Sequence, residues 1–148
     1  AYRLRFVKIF CGDWSRIFGE KWWEDKFKSI GIFFDPPYSD VANRDKNLYY
    51  FDDLTVAHKV REWCKEKGQN KKYRIVLAGY YEEHSELLDY GWRVIRWTAN
   101  GGYRNMGKKS KNLNRFREAL FISPYCLNNN LFGNEKEIFL HPSKLSEL

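Results

Sequence analysis

The sequence predicts an α/β domain, a mixed sheet whose last strand returns antiparallel. Three observations carry that prediction. Short apolar runs rich in Ile, Val and Phe recur between turn residues, at 5–10, 31–34, 74–78, 94–98 and 118–123. A stretch with helical spacing separates the second run from the third, and a glycine-containing basic stretch joins the last two. At 148 residues, 43% of them apolar and 18% aromatic, the chain has room for one domain with a real core.

The first run, 5–10, reads as a strand with almost nothing before it. Gly31-Ile32-Phe33-Phe34 is apolar throughout, as expected of a central parallel strand buried on both faces. From 54 to 67, Val56, Val60, Trp63 and Cys64 fall on one helical face; Asp52 or Asp53 is placed to cap its start and Gly68 to stop it. The run 74–78 is the next strand, 81–90 a second helical or irregular stretch, and 94–98 and 118–123 the last two strands. Between those two, residues 100–114 hold Gly101, Gly102 and Gly107, several Lys and Arg and almost no aliphatic side chain, which predicts a loop or long hairpin tip. After Pro124 the chain turns Asn-rich. Residues 1–127 therefore read as the functional region and 128–148 as a peripheral tail.

A formal charge of +7 points to a polyanionic partner, against the plainer reading that it only maintains solubility. Cys11, Cys64 and Cys126 are odd in number and lack CxxC spacing, which argues against a disulfide framework or a zinc site and fits a reducing, cytoplasmic setting. His58, His84 and His141 are dispersed and form no metal-binding pattern. No apolar run approaches the roughly 18 residues that span a bilayer, and the first residues lack a signal-peptide layout.

The most specific chemistry lies at Asp35-Pro36-Pro37-Tyr38, at the carboxyl end of a predicted strand, where open α/β sheets bind ligands. Two prolines fix φ and remove two backbone donors, leaving a stiff turn that presents carbonyl acceptors. An exocyclic amine such as adenine N6 has its lone pair delocalised into the ring. It becomes nucleophilic when both its N–H groups are held by acceptors, here the Asp35 carboxylate and the Pro36 carbonyl. The same acceptors stabilise the positive charge that develops as a methyl group arrives, so no general-base histidine is required. Tyr38 is placed to stack on a base flipped out of its duplex. The plain alternative is a capped turn with Asp35 bonded to local amides and Tyr38 in the core. At about 5% per residue type, however, four specified residues arise by chance in roughly one chain of this length per thousand.

These residues resemble the Dam-like DNA adenine-N6 methyltransferases, especially short phage-type DNA adenine methylases, over about 6–126. The likeness runs in order through Val7-Lys8-Ile9-Phe10-Cys11-Gly12-Asp13-Trp14, the segment 31–38, Arg74-Ile75-Val76-Leu77-Ala78-Gly79-Tyr80 with Glu83-His84, Trp97 with Gly101-Gly102-Tyr103, and Ala119-Leu120-Phe121-Ile122-Ser123-Pro124. The resemblance implies a partial Rossmann-like methyltransferase sheet with a terminal antiparallel strand or hairpin, and S-adenosylmethionine as methyl donor. It implies Asp13 and Trp14 near the cofactor's adenine, and Asp35 facing both the methionine part and the target amine. One departure is large: members of this family carry upstream a Phe-x-Gly-x-Gly loop that cradles the methionine end, and this chain has none. Gly12 and Gly101-Gly102 do not follow a strand and open a helix as such a loop requires. The chain is thus expected to be the carboxyl-terminal half of a longer bacterial or phage-encoded methylase; behind that reading stand a partner chain supplying the other half, and lost activity.

For double-stranded DNA the candidate contacts are Arg104, Asn105, Lys108, Lys109, Lys111 and Arg115, with Arg117 continuing the charge and Asn112 and Asn114 able to read base edges. Residues 39–47 have no apolar face and suit a lid or a plain surface loop. The cluster Glu82-Glu83-His84-Ser85-Glu86 reads as a solvated helix face, ahead of a role in orienting the strand end before it. Tyr80 and Tyr81 read first as core aromatics and second as pocket lining. The expected activity is site-specific methyl transfer to adenine N6 in DNA, with an RNA base-amine methyltransferase or a catalytically inactive DNA-binding fragment as the alternatives.

Overall fold

A computed structural model describes Arg5 and residues 7–19, 22–39, 53–97, 117–126 and 135–140. In chain order its elements are the short helices α1 (Arg16–Gly19) and α2 (Trp22–Lys26), strand β1 (Ile30–Phe34), helix α3 (Val56–Lys67) and strand β2 (Tyr73–Tyr80). One helical turn, α4 (Tyr81–His84), then runs into a 3-10 segment (Ser85–Tyr90), followed by strands β3 (Arg93–Trp97), β4 (Glu118–Ile122) and β5 (Glu137–Leu140).

The strands form one mixed sheet in the order β1-β2-β4-β3-β5. β1 and β2 are parallel, β4 lies antiparallel between β2 and β3, and β5 runs parallel to β3. Register places Phe34, Leu77, Phe121 and Val94 in one row across the sheet. Side chains alternate along a strand, so this row and its every-second neighbours share a face. That face is the core: Ile75, Leu77, Val94 and Phe121 are fully buried there against Val60 and Cys64 of α3 and against Leu87 and Trp92. Burying each large apolar side chain stabilises by about 1.5–3 kcal/mol.

Helix α3 follows its sequence pattern. Ala57, Val60 and Cys64 are buried, and Asp53 accepts a hydrogen bond from the Thr55 amide (2.8 Å) just ahead of the first turn. Gly68 donates to the Cys64 carbonyl at the helix end. The 3-10 segment ends at Gly91, whose φ of 78° is costly for a side chain bearing Cβ and whose N–H caps Leu87 and Leu88. The cysteines are free thiols, and burial pushes the Cys64 thiol up from its ordinary value. Among the described residues no helix is long and apolar enough to cross a membrane.

Three expectations are corrected. Residues 7–10 are not a strand: they take no regular structure, and Val7, Ile9 and Phe10 are exposed. Strand propensity holds a segment only when a sheet edge pairs with it, and no described strand does. β1 is not central but stands at the edge of the described sheet, with Ile30, Ile32 and Phe34 toward the helices and Gly31 and Phe33 exposed. Continuous apolarity reports compatibility with burial, not the number of neighbours. The tail 128–148 is not wholly peripheral, since it supplies β5.

Candidate functional site

Asp35 follows directly on the last residue that β1 pairs with β2, Phe34 opposite Leu77. Its side chain is exposed and makes no hydrogen bond to another described residue. Pro36 and Pro37 are half-buried, and neither carbonyl accepts a backbone hydrogen bond from a described residue. The open end of the turn is thus a carboxylate followed by carbonyls that no described residue engages.

The far end is closed. Tyr38 stacks on Tyr80, the last residue of β2, with ring centroids 3.8 Å apart and planes 11° from parallel. The Arg117 guanidinium lies 4.1 Å from the centre of the Tyr80 ring. Burial, then the charge of Glu118, then Tyr80 push the Tyr38 phenol well up from its ordinary value. The face turned to Tyr80 is already stacked, so a base would have to take the other.

Ser39 is fully buried, and both its amide and its hydroxyl donate to Oε1 of Glu83 at 2.6 Å. Glu83, only 4% exposed, accepts the Tyr80 amide on Oε2 at 3.2 Å. Arg61 donates to the Glu83 main-chain carbonyl at 2.6 Å. Of the acidic cluster read as a solvated face, only Glu82 and Glu86 behave so, paired with Arg117 and with Lys65 and Arg61. Glu83 and His84 are buried, because α4 begins at the strand end and turns that side of its single turn inward. Ser39 therefore belongs to the anchored turn rather than to a lid, and the rest of 39–47 lies outside the described residues.

The other candidates divide. Trp14 packs edge-on against Phe34 (5.8 Å, 89°) and against Phe18, which brings the Asp13-Trp14 segment to the same strand end as Asp35. Oδ1 of Asp13, however, accepts both the amide and the hydroxyl of Ser15, and these bonds hold its carboxyl below the usual carboxylate range. Asp13 thus closes the turn that leads into α1. Arg117, read as continuing the basic charge, lies over the Tyr80 ring and pairs with Glu82. Tyr81 stacks on Phe121 and donates to Glu137, so it packs on the core and ties down β5. Arg104, Asn105, Lys108, Lys109, Lys111 and Arg115, with Asn112 and Asn114, lie outside the described residues. A shallow basic cleft lined by Lys26, Lys28, Lys71 and Lys72 lies at the amino ends of β1 and β2, the opposite end from Asp35.

Sequence reading placed a strand-orienting role for the Glu83 cluster second, behind a solvated face, and did not foresee the Tyr38–Tyr80 stack. The available signal was position: both residues sit at the carboxyl end of the parallel strand next to the one carrying Asp35. In comparisons with known proteins, no family model, no curated protein and no solved structure matches the chain.

Proposed function

We propose that this chain carries the target-amine side of a methyltransferase acting on adenine N6 in DNA, with S-adenosylmethionine as donor, in a cytoplasmic setting. The observation that carries the reading is the Asp35 turn: an exposed carboxylate and proline carbonyls that no described residue engages, at the carboxyl end of β1, backed by a closed anchor on the parallel strand beside it. A Rossmann-like methyltransferase sheet is the finer fold reading, supported by the parallel β1–β2 pair and the antiparallel β4 ahead of β3 in the sheet.

The described residues fit the amine side of such a site better than the cofactor side. Of Asp13, Trp14 and Asp35, only Asp35 offers a carboxylate not already engaged by a described residue, and no described loop forms a glycine cradle at a strand-to-helix turn. S-adenosylmethionine, when bound, supplies an electrophilic methyl group. The chain's own contribution is to the amine. The Asp35 carboxylate accepts one N–H and the Pro36 carbonyl the other, which localises the nitrogen lone pair and stabilises the charge that grows on it. Both acceptors stand in place beforehand, so little reorganisation is needed at the moment of transfer.

The test is transfer of labelled methyl to unmethylated duplex DNA and to RNA by the full-length protein, with the labelled base identified after digestion. Label in N6-methyladenine of DNA, abolished by Asp35→Ala with duplex affinity kept within a few-fold, is the expected result. Wild-type turnover in Asp35→Ala sinks the role of that carboxylate, and label in RNA alone moves the substrate. The formal charge of +7 favours one rival, a DNA-binding module without transfer activity: it wins if DNA binding is steeply salt-dependent and no cofactor binds.

A further inference from the structure

We infer that Glu83 is a positioning residue for the Asp35 turn: its buried carboxylate clamps Ser39 to the end of β2 and so sets where the Asp35 and Pro36 acceptors stand. This rests on the methyltransferase reading above.

A carboxylate that is 4% exposed is costly unless its oxygens are satisfied, and here they are satisfied asymmetrically. Oε2 takes the Tyr80 amide three residues back, an ordinary cap for the start of α4. Oε1 takes two bonds from Ser39, which is 44 residues away in the chain. A helix cap needs no residue from the end of another strand, so the Ser39 bonds are additional to capping. Through them one side chain ties the carboxyl ends of β1 and β2 together.

The consequence for the turn follows from counting its freedoms. Phe34 is held by its register with Leu77, and Ser39 is held by Glu83. Of the four residues between, Pro36 and Pro37 have fixed φ, and Tyr38 is stacked on Tyr80. Only Asp35 keeps an open side chain. A segment pinned at both ends and stiff in the middle presents its acceptors at one place, as electrostatic preorganisation demands. Arg61 steadies the clamp from behind by donating to the Glu83 carbonyl, leaving both carboxylate oxygens for the strand ends.

Glu83→Gln keeps the shape but replaces one acceptor oxygen by an NH2 group, which must then face either the Ser39 or the Tyr80 amide, donor against donor. The expected result in the full-length protein is a fall in kcat of about 100-fold, since a misplacement near 1 Å costs that much, with KM for duplex DNA within about 3-fold. Ser39→Ala removes only the hydroxyl bond and is expected to fall in the same sense by less, about 3- to 10-fold. It keeps the test alive if Glu83→Gln does not fold. The two changes together are expected to cost no more than Glu83→Gln alone, because they act through one contact. Hydrogen exchange adds a readout that does not depend on activity: the Ser39 amide is slow in the wild type and fast in Glu83→Gln. Wild-type kcat in both variants, or Ser39 exchange unchanged by Glu83→Gln, overturns the clamp. Absence of methyl transfer by the wild-type protein overturns the methyltransferase reading instead, and the clamp is then judged on Ser39 exchange alone.

Discussion

The two flanks of β2 are built from equally apolar sequence and end in opposite states. On the side of β4 and β3, Leu77, Phe121 and Val94 stand in register with no exposure at all. On the side of β1, Phe33 is 64% exposed, and the apolar run before it in the chain holds Ile9 at 92% and ends with Phe10 at 71%. The difference is one of face and of neighbours: Leu77, Phe121 and Val94 point toward the helices together with Phe34 of β1, whereas Phe33 points to the other face. β4 has a strand on each side and a helical layer on its face, whereas β1 has β2 on one side only among the described residues. An apolar strand is thus a demand for partners, and the sequence states the demand without saying whether it is met.

Truncation tests this contrast most directly. Phe121→Ala on the closed flank is expected to destabilise by about 3–5 kcal/mol in chemical denaturation. Phe33→Ala on the open flank is expected to stay within about 0.5 kcal/mol, as for an exposed site. A large loss at Phe33 would show that something covers β1 and would break the comparison.

Acid separates the flanks by another route. His84 is buried beside Phe121, and neither imidazole nitrogen has a hydrogen-bond partner among the described residues. Burial first, then the positive charges of Arg61 and His58, push its pKa down to about 3. The unfolded chain, near 6.5, binds a proton at a pH where the folded one does not. The neutral histidine therefore contributes stability that is fully present above about pH 6.5 and is lost progressively as pH falls toward 3. A loss of several kcal/mol, order of magnitude, is expected across that window. His84→Leu is expected to flatten the slope; an unchanged slope would assign it to other groups.

A smaller loss than at Phe121 sharpens the packing argument at a single contact. A Cβ on Gly79 would stand 2.5 Å from the His84 imidazole, which is buried and cannot step aside freely. Gly79→Ala is expected to cost about 1–3 kcal/mol, the range for overpacking. The loss is expected to shrink in a His84→Ala background, where the added methyl meets space.

The same division runs through the candidate site. The place of Asp35-Pro36-Pro37-Tyr38 directly after a strand was legible because it is local: prolines set φ wherever they stand, and a strand of Ile and Phe leads directly into them. Helix α3 was legible for the same reason, since its buried face and its glycine stop lie within thirteen consecutive residues. Glu83 was not legible. Its neighbour Glu82 has the same charge and the same local sequence, yet one is exposed and paired with Arg117 while the other is buried under Ser39. Arg117 shows the converse, a basic residue in a basic stretch that turns onto an aromatic ring.

By itself, then, the sequence determined the α/β class, the positions of the strands from β1 to β4, helix α3 and the stiff acceptor turn at Asp35, all of which depend on periodicity, propensity and residue geometry over a few positions. Only the tertiary structure decided that residues 7–10 form no strand, that β1 stands at the edge of the described sheet, that the tail returns as β5, and that Glu83 ties the Asp35 turn to β2. Those outcomes depend on which segments meet across dozens of residues, and pairing of that kind leaves no periodic trace in either partner alone.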